Sequence, residues 1–173
     1  QCCGIVLDPR NDSGDERFRG ALTRFVFEGS TFVGPTTECV HSADGLLWTP
    51  YESTPRFGNT GNRLGDVSVL HYDGDACQFV QNTRHVNMGA VAHPSETPKV
   101  CGWFGPYYPH RPDLMNKRRI YQSRSSDFLN WTTPIPVSIP DDEEDNLDEG
   151  HYGMQQFCVG NHHFATLGVF RFV

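Results

Sequence analysis

The chain has 173 residues with 17 Gly, 12 Pro, 12 Phe, 6 Tyr and 3 Trp, and strong helix formers are sparse, a balance that favours short strands joined by tight turns. No apolar run approaches the roughly 20 residues that span a bilayer as a helix, so no membrane partner is expected. The net charge of −7 is local, because DDEEDNLDE at 141–149 holds seven acidic residues and leaves fourteen acidic against fourteen basic elsewhere; with no basic stripe to displace counterions, nucleic acid is not an expected partner.

In chain order, strands are predicted at GIVLD 4–8, RFRGALTRFVF 17–27, TTECVHS 36–42, DVSVLHY 66–72 and ACQFVQNTRHV 76–86. They continue at RRIYQSRS 118–125, IPVSI 135–139, HYGMQQFCV 151–159 and HFATLGVFRFV 163–173. Each mixes alternation with β-branched and aromatic residues and is bounded by turn formers. YDGD at 72–75 and VGNH at 159–162 read as hairpin turns, where Asp-Gly and Gly-Asn supply positive φ. Residues 87–116, rich in Pro, Gly and His, read as a long loop. No helix is predicted. Gln1 opens the chain without a basic region or cleavage site, so no signal peptide is read, and a start inside a strand looks like a fragment or a processed product.

The six cysteines, at 2, 3, 39, 77, 101 and 158, form no C-x-x-C pair and show no zinc spacing. They read as buried free thiols rather than a disulfide frame. No metal or other cofactor is expected. His162 and His163 are adjacent on a strand and point to opposite faces, the acidic run lacks the glycine of an EF-hand loop, and no Gly-x-Ser-x-Gly elbow is present.

One phrase is written twice. SADGLLWTPY at 42–51 and SSDFLNWTTP at 125–134 share Ser-x-Asp-x-Leu-x-Trp-Thr, and Ser, Asp and Trp each recur after 83 residues. Asp66 and Glu149 lie equally far beyond the two copies. A period of this length with about four strands in it signals an array of sheets, of which radial propellers are the common case. In each copy Ser and Asp can accept backbone N–H bonds in a turn, and Trp can pack between sheets.

These two corners, with GDVSVLHYDGDACQFV at 65–80 and EGHYGMQQFCVGNHHFATLGVF at 149–170, resemble the five-bladed β-propeller glycoside hydrolases: invertases, levansucrases, arabinanases and β-xylosidases. The resemblance implies an all-β partial propeller of two to three four-stranded antiparallel blades, approximately 1–58, 66–140 and an incomplete 149–173. It also implies a fragment, with the family's first catalytic Asp lying before Gln1. Gly65 and Val67 stand where the family's triplet has Arg and Pro around its aspartate. Aligning the hairpin turns instead of the corners pairs Asp66 with Tyr152 and returns Glu149 to the acidic loop.

Glycoside cleavage needs one protonated carboxyl to donate to the leaving oxygen and a second carboxylate to activate water or attack the anomeric carbon. The carboxylates at the mouths of successive inner strands are Asp66 and Glu149. In the family's pattern Asp66 holds the sugar ring and tunes the acid, and Glu149 is the acid. Arg84, His151 and Tyr152 are the candidate substrate-binding residues, able to donate hydrogen bonds or stack on a sugar face. The expected partner is a carbohydrate substrate, with self-association through open blade faces. Two other readings stay open: a non-catalytic sugar- or protein-binding propeller, and a sialidase-like Asp-box propeller. The Asp-box spans seven steps from Ser to Trp, where Ser42 to Trp48 spans six.

Overall fold

The computed structural model describes residues 3–57, 67–84, 120–138, 149–160 and 162–171. Strands β1 (Cys3–Leu7), β2 (Phe18–Glu28), β3 (Thr31–Ser42) and β4 (Thr49–Pro50) form one antiparallel sheet in chain order. After β5 (Arg56–Phe57), strands β6 (Val67–Asp73), β7 (Gln78–Arg84), β8 (Ile120–Ser125) and β10 (Ile135–Ser138) form a second. The two-residue β9 (Asn130–Trp131) pairs with β5 in parallel. A third, two-stranded sheet joins β11 (Glu149–Val159) to β12 (His162–Arg171). The fold is all-β, with no helix among the described residues. Nine predicted strands are present to within a few residues at most ends, β3 starting five residues early. The two-residue β4, β5 and β9 carry no periodic signal and were not expected. The predicted 87–116 loop lies outside the described residues.

The first strands of the three sheets lie side by side and run the same way. A Cβ added at Gly4 would stand 2.9 Å from Leu70 Cγ and 3.1 Å from the Leu70 N and Ser68 O backbone atoms. The other end of β1 reaches the end of β6, where the Arg10 guanidinium covers the Tyr72 ring at 5.4 Å. On the far side, a Cβ at Gly153 would meet Val67 Cγ1 at 3.4 Å, so the middle of β11 passes the start of β6. Only a residue without a side chain allows β1 so near the β6 backbone.

Both copies of the repeated phrase follow the third strand of a four-stranded sheet, and their hydrogen bonds match one for one. Ser42 Oγ donates to Asp44 Oδ1 and accepts from the Asp44 and Gly45 N–H groups at 3.3 and 2.9 Å. Asp44 Oδ1 accepts from Leu46 and Leu47, and Trp48 Nε1 donates to Gly45 O. Ser125, Asp127, Phe128, Leu129, Asn130 and Trp131 repeat these six bonds. Gly45 has φ +76° and Phe128, at the matching position, φ +72°.

A phenylalanine in left-handed backbone costs about 1–2 kcal/mol. The Phe128 ring is fully buried, edge-on to Phe79 at 5.0 Å and to Trp131 at 5.3 Å. Burying such a ring contributes about 1.5–3 kcal/mol, which offsets the strain. The second corner therefore plugs the core between the first two sheets, with Phe57 stacked on Trp131 at 5.4 Å. Trp48 occupies the same local geometry but stays half-buried, and its neighbours Leu46 and Leu47 are 81% and 79% exposed.

An ion cluster locks the second corner to the first sheet. Asp8, 1% exposed, accepts from the Arg10 side chain and from Arg19 Nε at 2.8 Å. Arg10 reaches on to Ser126 O at 2.8 Å, and Arg19 to Tyr51 Oη at 2.8 Å and Asp127 O at 3.3 Å. Burial pulls the Asp8 pKa upward, but the bonds and charges of the two arginines outweigh it and hold it below its ordinary value.

Two sequence expectations are corrected. In the YDGD hairpin the positive φ falls on Cys77 at +53°, because the turn runs on to Cys77 and Asp73 Oδ1 caps the Ala76 N–H instead. Of the described free cysteines only Cys39 is buried, while Cys77 and Cys158 are exposed: one occupies a turn and the other an open hairpin. Burial pushes the Cys39 thiol up to about 12, which leaves it unreactive at neutral pH.

Two outcomes follow from this packing. Gly4→Ala should cost about 1–3 kcal/mol through overpacking, read as a lower urea midpoint with unchanged circular dichroism. Asp127 is pulled upward by partial burial but downward by the Asn130 side chain and the Asn130 and Leu129 N–H groups, with a net value of about 2 against 3.8 unfolded. Its contribution is therefore complete above pH 3.8 and lost as pH falls through 2. Asp127→Asn should lower stability at pH 7 and converge on wild type near pH 2, as read in urea titrations across that range.

Candidate functional site

Four of the five sequence-derived candidates are described: Arg84 and Tyr152 meet where the end of β7 lies beside β11, and Glu149 and His151 stand on the first residues of β11. Asp66 lies outside the described residues, immediately before Val67. Glu149 is the first residue of β11, pairs in register with Arg171 and is 9% exposed. It is thus a buried strand residue and not a solvated loop charge. Arg84 ends β7, opposite Val67 on one side and Ile120 on the other, and is 5% exposed.

The Arg84 guanidinium lies 4.4 Å from the centroid of the Tyr152 ring. That ring is 40% exposed and stacks on Phe170 at 5.8 Å. The register of β11 on β12 steps from His151↔Val169 to Gly153↔Gly168. Tyr152 is therefore the extra residue of a β-bulge, a device that re-aims a side chain and recurs beside active sites. His151 is 5% exposed, with its Nδ1 2.8 Å from Ser138 Oγ at the end of β10.

Sequence reading missed Ser138, and its local pattern, the last polar position of a short strand, carries no chemical signal. The bulge was equally hidden, since it depends on the pairing of two strands. The arrangement offers a buried carboxyl, a buried guanidinium, an imidazole oriented by a hydroxyl, and an exposed aromatic face. No cluster of metal-ligating side chains is found among the described residues.

A cavity of about 470 Å³ lies at the opposite end of the first strands, lined by Asp8, Arg10, Glu16, Arg19, Tyr51 and Asp127 among others. Its arginines are committed to Asp8 and to the second corner. That commitment makes it part of the joint between sheets, and the chemistry-bearing groups lie at the other end.

With this geometry in view, the chain can be compared with known proteins. No protein-family model matches it. No curated protein matches it either. Among solved structures it is similar to the crystal structure of an N-acetylgalactosamine deacetylase from F. plautii in complex with blood group B trisaccharide. The likeness has a TM-score of 0.51 at 19% identity and covers 90% of this chain and 35% of that one. The chain thus spans about a third of the length of that protein, with which it shares a fold.

Tyr152→Phe should leave stability within about 0.5 kcal/mol of wild type, because the ring still covers Arg84 and Phe170. Tyr152→Ala should cost about 1–2 kcal/mol by losing both contacts. Chemical denaturation of the two variants measures the difference.

Proposed function

We propose that the chain is part of a β-propeller that acts on carbohydrate, with its reactive centre at the start of β6 and β11. The observation that carries this reading is the three first strands running side by side in one direction, as the innermost strands of successive blades do. Glu149, His151 and Tyr152 then stand on the first residues of β11, with Tyr152 over Arg84 at the end of β7. The corner design agrees with it. The second corner docks on the preceding sheet through Arg10 and Arg19, and in a ring of blades every corner has such a sheet before it.

In this reading Glu149 is the acid that protonates the leaving oxygen of a glycosidic bond. Asp66, next to Val67, bonds sugar hydroxyls and tunes the acid. Tyr152 offers a stacking face, held by Arg84 beneath it. His151, oriented by Ser138, donates or accepts one hydrogen bond to the sugar. Hydrolysis also requires a second carboxylate, which activates water or attacks the anomeric carbon.

A second reading rests on the fold neighbour, which is described as a deacetylase of an amino sugar. There the bond cleaved is an N-acetyl amide and the product is acetate, not a new reducing end. In the protein as it occurs in the cell, Glu149→Gln should lower release of reducing sugar about a hundredfold or more, with circular dichroism unchanged. Full turnover by that variant removes Glu149 from the mechanism. Acetate release from N-acetylated oligosaccharides without new reducing ends selects the second reading.

A further inference from the structure

We propose that Cys158 and His163 form a reactive thiol–imidazole pair, at which small disulfides reversibly modify the protein. The hairpin builds the pair. Gly160, at φ +59°, turns the chain, so that Val159↔His162 is the first rung and Cys158↔His163 the second. Residues directly opposite on antiparallel strands lie side by side on one face, and Cys158 Sγ stands 3.2 Å from His163 Nδ1. Of the two adjacent histidines, alternation gives His163 this face and His162 the other. The pair stands at the far end of β11 from Glu149, about 30 Å along the strand, and is separate from the carbohydrate reading.

The face that carries the pair is turned to the second sheet. Gln156, two residues before Cys158 on β11, bonds Asn82 and Gln122 of that sheet, and alternation places Cys158 on the same side. His163 accordingly lies within electrostatic reach of His71 and Asp73 on β6. Asp73 is committed to Arg124 of β8 at 3.0 Å, and burial lowers the His71 pKa, which keeps that ring uncharged at neutral pH. His163 is the base at hand for the exposed Cys158 thiol.

The thiolate, not the thiol, is the nucleophile. His163 Nδ1 takes the Cys158 proton, the thiolate attacks one sulfur of the disulfide, and the reagent's own S–S bond breaks. One half stays on Cys158 as a mixed disulfide. The other leaves as a thiolate and takes the proton from His163. Cys158 is oxidised and the leaving half reduced. Cys77 is exposed as well, but its thiol bonds the Gly74 carbonyl and the Tyr72 hydroxyl in place of an imidazole.

Oxidised glutathione, added to the protein as it occurs in the cell, tests this, with site-resolved peptide mass spectrometry as the readout. Cys158 should be modified about tenfold or more faster than Cys77, and dithiothreitol should release the adduct. His163→Gln, at an exposed position, should slow Cys158 about tenfold and leave both Cys77 and the circular dichroism unchanged. Equal rates at Cys158 and Cys77 in the wild type overturn the proposal, and that comparison needs no variant. So does a Cys158 rate that His163→Gln leaves unaltered.

Discussion

The first two sheets are held in place by one buried carboxylate. Asp8 sits at the end of β1 and fixes two guanidinium groups, whose remaining donors reach across to Ser126 and Asp127 carbonyls. A buried ion pair contributes little net stability, because desolvation consumes most of the Coulomb gain. Its value here is geometric. The planar forks of Arg10 and Arg19 donate to the Ser126 and Asp127 carbonyls of the second corner, a directional contact that holds the corner where Phe128 and Trp131 enter the core.

The two joints of the molecule differ in kind. Between the first and second sheets the contact is aromatic, a chain of rings that runs from Phe57 through Trp131 and Phe128 to Phe79. Between the second and third sheets it is largely polar, with Arg84 over the Tyr152 ring, Ser138 against His151, and a network of amides. Gln122 Nε2 bonds Asn82 Oδ1 at 3.0 Å and Gln156 Oε1 at 3.1 Å, and Asn82 Nδ2 bonds Gln156 Oε1 at 3.3 Å. An amide network positions its members strongly but adds only about 1 kcal/mol per bond. Burial along β11 falls from Glu149 and His151, both buried, to Phe157 and Val159, both exposed beyond this network.

That gradient bears on function. A site needs side chains held to a fraction of an ångström, and the end of β11 carrying Glu149 is the buried end. The bulge at Tyr152 moves one ring out of strand alternation and over Arg84. The Arg84 guanidinium and the Tyr152 ring belong to two sheets, as do Ser138 and His151, and each pair meets only because those sheets pack together.

By itself the sequence determined the strands, the turns and the repeated corner, because each rests on neighbours within a few residues: alternation along a strand, Ser and Asp bonding the next N–H groups. It also marked Asp66, Glu149, Arg84, His151 and Tyr152, since residue type at a strand end is a local signal. It did not reveal that Glu149 is buried within a strand, that Ser138 touches His151 or that Tyr152 is bulged, because each depends on pairing between residues distant in the chain. It did not separate the two corners either. The six turn bonds of one recur in the other, where only Asn130 adds a side-chain bond to Asp127, yet one tryptophan is buried and the other half-exposed. Only the tertiary structure decided that, by placing the Asp8 arginine clamp before the second corner.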